Sequence, residues 1–181
     1  MKAVLILKGS PRKNGNSALL ADEFARGAAD AGHKVETVSL REKEIGDCLG
    51  CAACQDNGGQ CVQNDDMTAL CERMLEADVI AFASPVWFYT WPSIMKRFID
   101  RTFAVEKRLQ NKTFYLLGAG AARDEKGMRI MIDSYRNYIG CFTGEGNGDG
   151  GCLFACNARK PGEAGGTEAF FKAYQLGKAI R

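Results

Sequence analysis

The chain predicts an α/β fold in which five parallel strands are covered on both faces by helices. Two observations carry this. Apolar runs of strand length alternate strictly with helix-period segments, and the runs are too uniformly apolar to leave one face in water. A third fits them: the three loops of unusual composition follow the first, third and fourth strands. With right-handed crossovers, those loops converge beyond the C-terminal strand ends of a doubly wound sheet, where ligands bind.

Each element has its own warrant. Val4 to Leu7 is a continuous apolar strand. Helical spacing runs from Ala18 to Ala31, with Leu20, Phe24 and Ala28 on one face and a stop at Gly32. Val35 to Leu40 is the second strand. Asp65 and Asp66 read as caps of a helix whose Met67, Leu70, Cys71, Met74 and Leu75 share one face, with Cys71 a buried thiol. Asp78 to Ala83 is the third strand. The next helix places Met95, Phe98, Ile99 and Thr102 inside, and Lys96, Arg97, Asp100 and Arg101 outside. Thr113 to Leu117 is the fourth strand, and Met128, Met131, Ile132, Tyr135 and Ile139 mark another helix. Cys141 to Thr143 reads as a short fifth strand, while the glycine-rich stretch 144–166 shows no assignable element. Phe170, Ala173, Tyr174, Gly177 and Ile180 make a closing helix.

No repeat or low-complexity linker breaks the 181 residues, so one domain over 1–181 is expected. Hydrophobic content of 46% and charged content of 25% are those of a soluble globular protein. A net charge of +2 gives no reason to invoke nucleic acid, and no stretch is long enough to cross a membrane. Met1 leads directly into a strand without a leader, so a cytoplasmic location is expected. Eight cysteines in that setting should be reduced, metal-bound or redox-active, and four of them crowd between residues 48 and 61.

The first unusual loop is Gly9-Ser10-Pro11-Arg12-Lys13-Asn14-Gly15-Asn16-Ser17, between a strand and a helix N-terminus. Unpartnered first-turn N–H groups there favour an anion. Ser10, Asn16 and Ser17 add hydroxyl and amide donors, and Arg12 a planar fork suited to phosphate oxygens. The loop lacks the Gly-Lys-Ser/Thr ending of a nucleotide P-loop and the spacing of a dinucleotide turn, so it suits a terminal phosphate monoester, as on FMN. The second loop, Ser84 to Trp91, sets Trp87, Phe88, Tyr89 and Trp91 after one strand. Pro85 fixes a turn whose amides could bond the edge of a flat ring such as an isoalloxazine. At least one of these aromatics, Trp91, is expected to be core. The third loop, Gly118-Ala119-Gly120-Ala121, would let backbone approach the ring's other side, or is simply a helix-entry turn.

Taken with the Asp65-Asp66-Met67 start and the Lys96-Arg97-Phe98-Ile99-Asp100-Arg101 helix, these loops resemble the NADPH-dependent FMN reductase group of flavodoxin-like proteins over residues 1 to about 120. The resemblance implies a three-layer flavodoxin-like fold with strand order 2-1-3-4-5, bound FMN, and a homodimer or homotetramer. It implies FMN phosphate on Ser10, Arg12, Asn14, Asn16 and Ser17, and the ring on Pro85, Val86, Trp87 and Phe88. Gly118, Ala119 and Gly120 complete the expected cofactor set.

Cys48, Cys51 and Cys54 stand at two-residue gaps, and Cys61 follows six residues later. Such spacing lets a short coil wrap three corners of a cubane. The fourth gap exceeds that of bacterial ferredoxins, and no proline follows Cys61. Paired Cys-x-x-Cys units also suit zinc, and free thiols are the other alternative. The motif resembles that of the iron–sulfur flavoproteins, which implies one 4Fe–4S cluster on Cys48, Cys51, Cys54 and Cys61.

The expected function is an FMN-dependent NAD(P)H oxidoreductase that passes electrons to an unidentified small-molecule or protein acceptor. The alternative is an iron–sulfur flavoprotein electron carrier that exchanges electrons with ferredoxin without NADPH. The flavin carries the hydride chemistry, so no catalytic acid or base is assigned. His33, the sole histidine, reads as solvent-facing in a helix-to-strand turn, which argues against a histidine-dependent triad, and Ser84 lacks a nucleophile elbow. Cys141, Cys152 and Cys156 read as packing in a glycine-rich region, with a redox group as the alternative.

Overall fold

A computed structural model describes residues 1–181. Eleven main elements alternate along the chain: β1 (Ala3–Lys8), α1 (Asn16–Asp30), β2 (Lys34–Ser39), α2 (Ala53–Asp56), α3 (Met67–Glu76), β3 (Val79–Pro85), α4 (Ser93–Arg101), β4 (Thr113–Ala119), α5 (Arg129–Gly140), β5 (Gly148–Ala155) and α6 (Glu168–Lys178). The five strands form one sheet in the order β2-β1-β3-β4-β5, and every pairing is parallel. This is the flavodoxin-like order.

Side-chain alternation along each strand divides the core in two. Leu5 and Leu7 of β1, with Ile80 and Phe82 of β3, pack with Met74 of α3, Phe98 of α4 and Tyr135 of α5. Val4 and Ile6, with Val79, Ala81 and Ala83, pack on the opposite face with Phe24 of α1 and Ala173 of α6. The central strand β3 buries every residue from Val79 to Ser84, which is why it reads as a continuous apolar run. Two glycines allow α1 and α6 to cross at close range. A Cβ on Gly27 would stand 2.0 Å from Tyr174 O, and one on Gly177 would stand 2.1 Å from Phe24 O.

Three expectations are corrected. The fifth strand is Gly148–Ala155, not Cys141 to Thr143; α5 runs through Gly140, and Cys141 caps it as an exposed residue. Glycine hides this strand from a pattern of apolar residues, yet the packing demands it. A Cβ on Gly150 would stand 2.4 Å from the Tyr115 ring, where the β4–β5 register also shifts. Arg101 is buried within the molecule, not on the outer face of α4. His33 is half-buried: its Nδ1 accepts from Lys2 N–H at 3.1 Å, so the neutral ring donates from Nε2 to Ile180 O at 3.0 Å. It thereby ties both chain ends to the α1–β2 turn. Replacing His33 with Leu should cost about 1–2 kcal/mol, two ordinary hydrogen bonds, in urea unfolding at neutral pH. No helix is long and apolar enough to cross a membrane.

Candidate functional site

The loops after β1, β3, β4 and β5 meet at the C-terminal edge of the sheet because ladder bonds continue past the strand ends. Gly9 N–H donates to Ala83 O, Val86 N–H to Ala119 O, Gly120 N–H to Ala155 O and Ala158 N–H to Gly120 O, all at 2.8 to 3.1 Å. Between these loops lies an open cleft of about 210 Å³. Ser10, Arg12, Asn16, Pro85, Val86, Trp87, Ala119 and Gly120, from the expected cofactor set, all line it. Asn14, Ser17, Phe88 and Gly118 do not. Gly118 instead lies under Phe154, whose ring would stand 2.2 Å from a Cβ there.

The phosphate-type loop is tightly wound. Ser10 Oγ accepts from Arg12 N–H at 3.1 Å, and a Cβ on Gly15 would lie 2.4 Å from that same oxygen. The first turn of α1 carries no acidic residue to compete for its N–H groups. Asn16 is already committed: its Nδ2 donates to Ala158 O and Lys160 O, and its Oδ1 accepts from Ala164 N–H. Its side chain therefore fastens the distant 158–164 segment to the helix N-terminus. Ser17 is different. Its Oγ is fully buried and has no partner in the chain.

Arg159 is a cleft residue that sequence reasoning missed. It arrives from the glycine-rich region, and Arg12 donates to its carbonyl at 3.4 Å while lying over the Trp87 ring, 5.9 Å from its centroid. The cleft lining holds these two arginines and no carboxylate, so its field favours an anion.

The aromatic loop after β3 separates two roles. Trp91 is core, its Nε1 donating to Ser134 Oγ at 2.9 Å. Trp87 and Thr90 exchange backbone bonds around a two-residue turn in which Phe88 and Tyr89 have φ of 46° and 70°. That is the backbone of a tight hairpin turn usually given to Asn-Gly. Here two bulky residues hold it, and Phe88 is left 92% exposed beside the cleft.

A second pocket, of about 60 Å³, is lined by all four clustered cysteines, with Leu49, Val62, Phe103 and Ala104. The chain winds closely there: Gly50, Ala52, Gly58 and Gly59 all have positive φ, and Gly59 N–H donates to Cys54 O. Burial pushes the Cys54 thiol up, and nearby Cys61 and Cys51 add to the rise, so these sulfurs sense one another. No three histidine, cysteine or carboxylate side chains gather as they would around one metal ion. A zinc ion would need its sulfurs about 2.3 Å from a common point. A cubane takes one sulfur at each of its four corners, and four thiols lining one pocket are a donor set of that kind. Cys71, one helix away, is buried, and burial pushes its thiol up to about 12.

Asp65 is the floor of the cysteine loop. It accepts from Gly46 N–H at 2.9 Å and Met67 N–H at 3.0 Å, and holds Arg101 in a two-point pair at 2.8 and 3.0 Å. Burial alone would raise its carboxyl, but Arg101 and the two N–H groups outweigh that and hold it below the usual range. Its role is wider than helix capping.

A doubly wound sheet in the order 2-1-3-4-5, with an anion-favouring cleft at its switch point, is the architecture of a flavodoxin-like protein. The family model of NADPH-dependent FMN reductase matches residues 1–136. An iron–sulfur flavoprotein of Archaeoglobus fulgidus is 35% identical over 184 residues, covering 99% of this chain and 79% of that protein. One from Methanocaldococcus jannaschii is 34% identical over 138 residues, 75% of this chain and 70% of the relative. The solved NAD(P)H:quinone oxidoreductase of Methanothermobacter marburgensis shares the fold at a TM-score of 0.79 and 20% identity, covering 98% of this chain and 94% of its own. The chain belongs to the NADPH-dependent FMN reductase and iron–sulfur flavoprotein group of the flavodoxin-like superfamily, and is an FMN-dependent oxidoreductase.

Proposed function

We propose that the cleft holds FMN with its phosphate on the 10–17 loop, and that the enzyme passes electrons from reduced nicotinamide onward by way of a 4Fe–4S cluster. FMN would supply hydride acceptance and one-electron release, and the cluster a route for single electrons. The observation that carries the reading is the cleft lining, with two arginines, no acid and a helix N-terminus. Ser10 and Arg12, which line the cleft, would hold the phosphate. Asn14 and the unpartnered Ser17 hydroxyl of the same loop, which lie outside the lining, would reach it as the loop closes on the anion. Asn16 contributes its backbone N–H, its side chain being spent on the 158–164 segment.

Pro85, Val86 and Trp87 would frame the ring on one side, and Ala119 and Gly120 would border it on the other. Gly118 would act from below, by letting Phe154 approach. Exposed Phe88 and Tyr89 beside the cleft support a homodimer or homotetramer, in which a second copy covers them. Cys48, Cys51, Cys54 and Cys61 would hold the cluster, since all four line one pocket.

Anaerobic purification, a visible spectrum, and iron and acid-labile sulfide assays test this reading. Flavin bands with about four irons and four sulfides per chain are expected, as is prompt bleaching by NADPH. Flavin without metal would remove the cluster and leave a simple FMN reductase. Flavin that ignores NADPH yet exchanges electrons with ferredoxin would replace the enzyme with an electron carrier.

A further inference from the structure

Arg101 joins Asp100 and Gln63 in the polar part of the cysteine pocket's lining, and it is the buried charge among them. This side chain leaves the last turn of α4 and is 1% exposed. Asp65 takes its two terminal nitrogens, and Gly46 O accepts from one of them at 3.0 Å. Of the five guanidinium N–H bonds these contacts use three, and Nε, equally buried, is the one nitrogen that meets no acceptor in the chain. Leaving such a donor unpaired in the interior is costly, and more so when it belongs to a charged group. Asp100, the only carboxylate in the pocket lining, is engaged by Lys96 one turn earlier on α4. Cys61 Sγ lies near enough to Arg101 for its charge to act on the guanidinium. Gln63, whose amide nitrogen is spent on Asp47 O, lies over Gly46 beside the Nη1 side of the guanidinium, and the other side-chain acceptors in the lining are the four sulfurs.

Resting on the cluster reading above, we propose that Arg101, clamped by Asp65, donates its free Nε–H to the sulfur set of the cysteine pocket and raises the cluster's reduction potential. Hydrogen bonds to cluster and ligand sulfurs, and a fixed positive charge beside them, favour the reduced state because it carries one more negative charge. Asp65 is then a positioning residue: by engaging both terminal nitrogens it leaves Nε as the one guanidinium nitrogen without an acceptor.

The test uses the anaerobically purified holoprotein and Arg101→Lys, assayed for iron and sulfide and titrated by EPR-monitored redox potentiometry. The variant is expected to keep its cluster but with a more negative midpoint, by at least tenfold in the oxidised-to-reduced ratio at fixed potential, about 59 mV for one electron. An unchanged midpoint at full iron content overturns the proposal. Should the variant fail to fold, the unsubstituted protein decides. Guanidino-¹⁵N-arginine labelling should give a ¹⁵N coupling to the reduced cluster in pulsed EPR, and absence of that coupling overturns the proposal alone. Absence of iron and sulfide from the unsubstituted protein overturns the cluster reading and this inference together.

Discussion

Asp65→Ala is expected to destabilise the protein by about 3–5 kcal/mol, the cost of leaving one member of a buried ion pair without its partner. The pair qualifies as buried, with side-chain exposures of 1% for Arg101 and 15% for Asp65. The substitution also strips an acceptor from Gly46 N–H and Met67 N–H, so the cysteine loop and the start of α3 lose their common anchor. Surface pairs such as Arg129–Asp133 should be near neutral by comparison.

The pH dependence has a definite sign. The Asp65 carboxyl is held below its ordinary value in the folded protein. Its contribution is therefore complete above the unfolded-state pKa of about 3.9, and is lost as pH falls through the lower folded value. Urea unfolding of the two proteins should show a constant gap from pH 7 to pH 5 that narrows towards pH 3. A gap that grows on acidification, or one below 1 kcal/mol at pH 7, would refute the buried-pair account.

Much of this architecture is legible in the chain. Strands β1, β3 and β4 announce themselves because strands buried on both faces are apolar at nearly every position, as Val79 to Ala83 are. The edge strand β2, Lys34–Ser39, buries only Val38 and shows just two valines among polar residues. The 10–17 loop is legible because its donors are contiguous. What escapes is whatever depends on distant partners. Arg101 sits beside Asp100 and follows Lys96 and Arg97, so helical spacing alone puts it in solvent; its partner Asp65 lies 36 residues away. Arg159 reaches the cleft from a glycine-rich stretch whose strand carries few apolar side chains. The Phe88-Tyr89 turn defies turn chemistry, because neither residue favours positive φ. Strain of that kind at a cleft rim, of order 1–3 kcal/mol per residue, is retained where function offsets it.

Ser17→Ala should move folding and binding in opposite directions. In the protein without flavin, the Ser17 hydroxyl is buried and unpartnered, so its removal deletes an unsatisfied polar group from the first turn of α1. Thermal unfolding of the apoprotein should then be unchanged or improved, by up to about 1 kcal/mol. A phosphate on the loop would give that hydroxyl a charged acceptor, a bond worth about 1.5–3 kcal/mol. FMN affinity should fall by about tenfold to 150-fold, read from flavin fluorescence as apoprotein is titrated. Riboflavin, which lacks the phosphate, should bind the variant and the unsubstituted protein equally. That control separates loss of a phosphate contact from general damage to the cleft. Equal weakening for both flavins would place the hydroxyl in the packing of α1, and destabilised apoprotein would mean that it already has a partner. Only the FMN-selective loss, with apoprotein stability kept, assigns Ser17 to the anion that the arginine-lined cleft is built to receive.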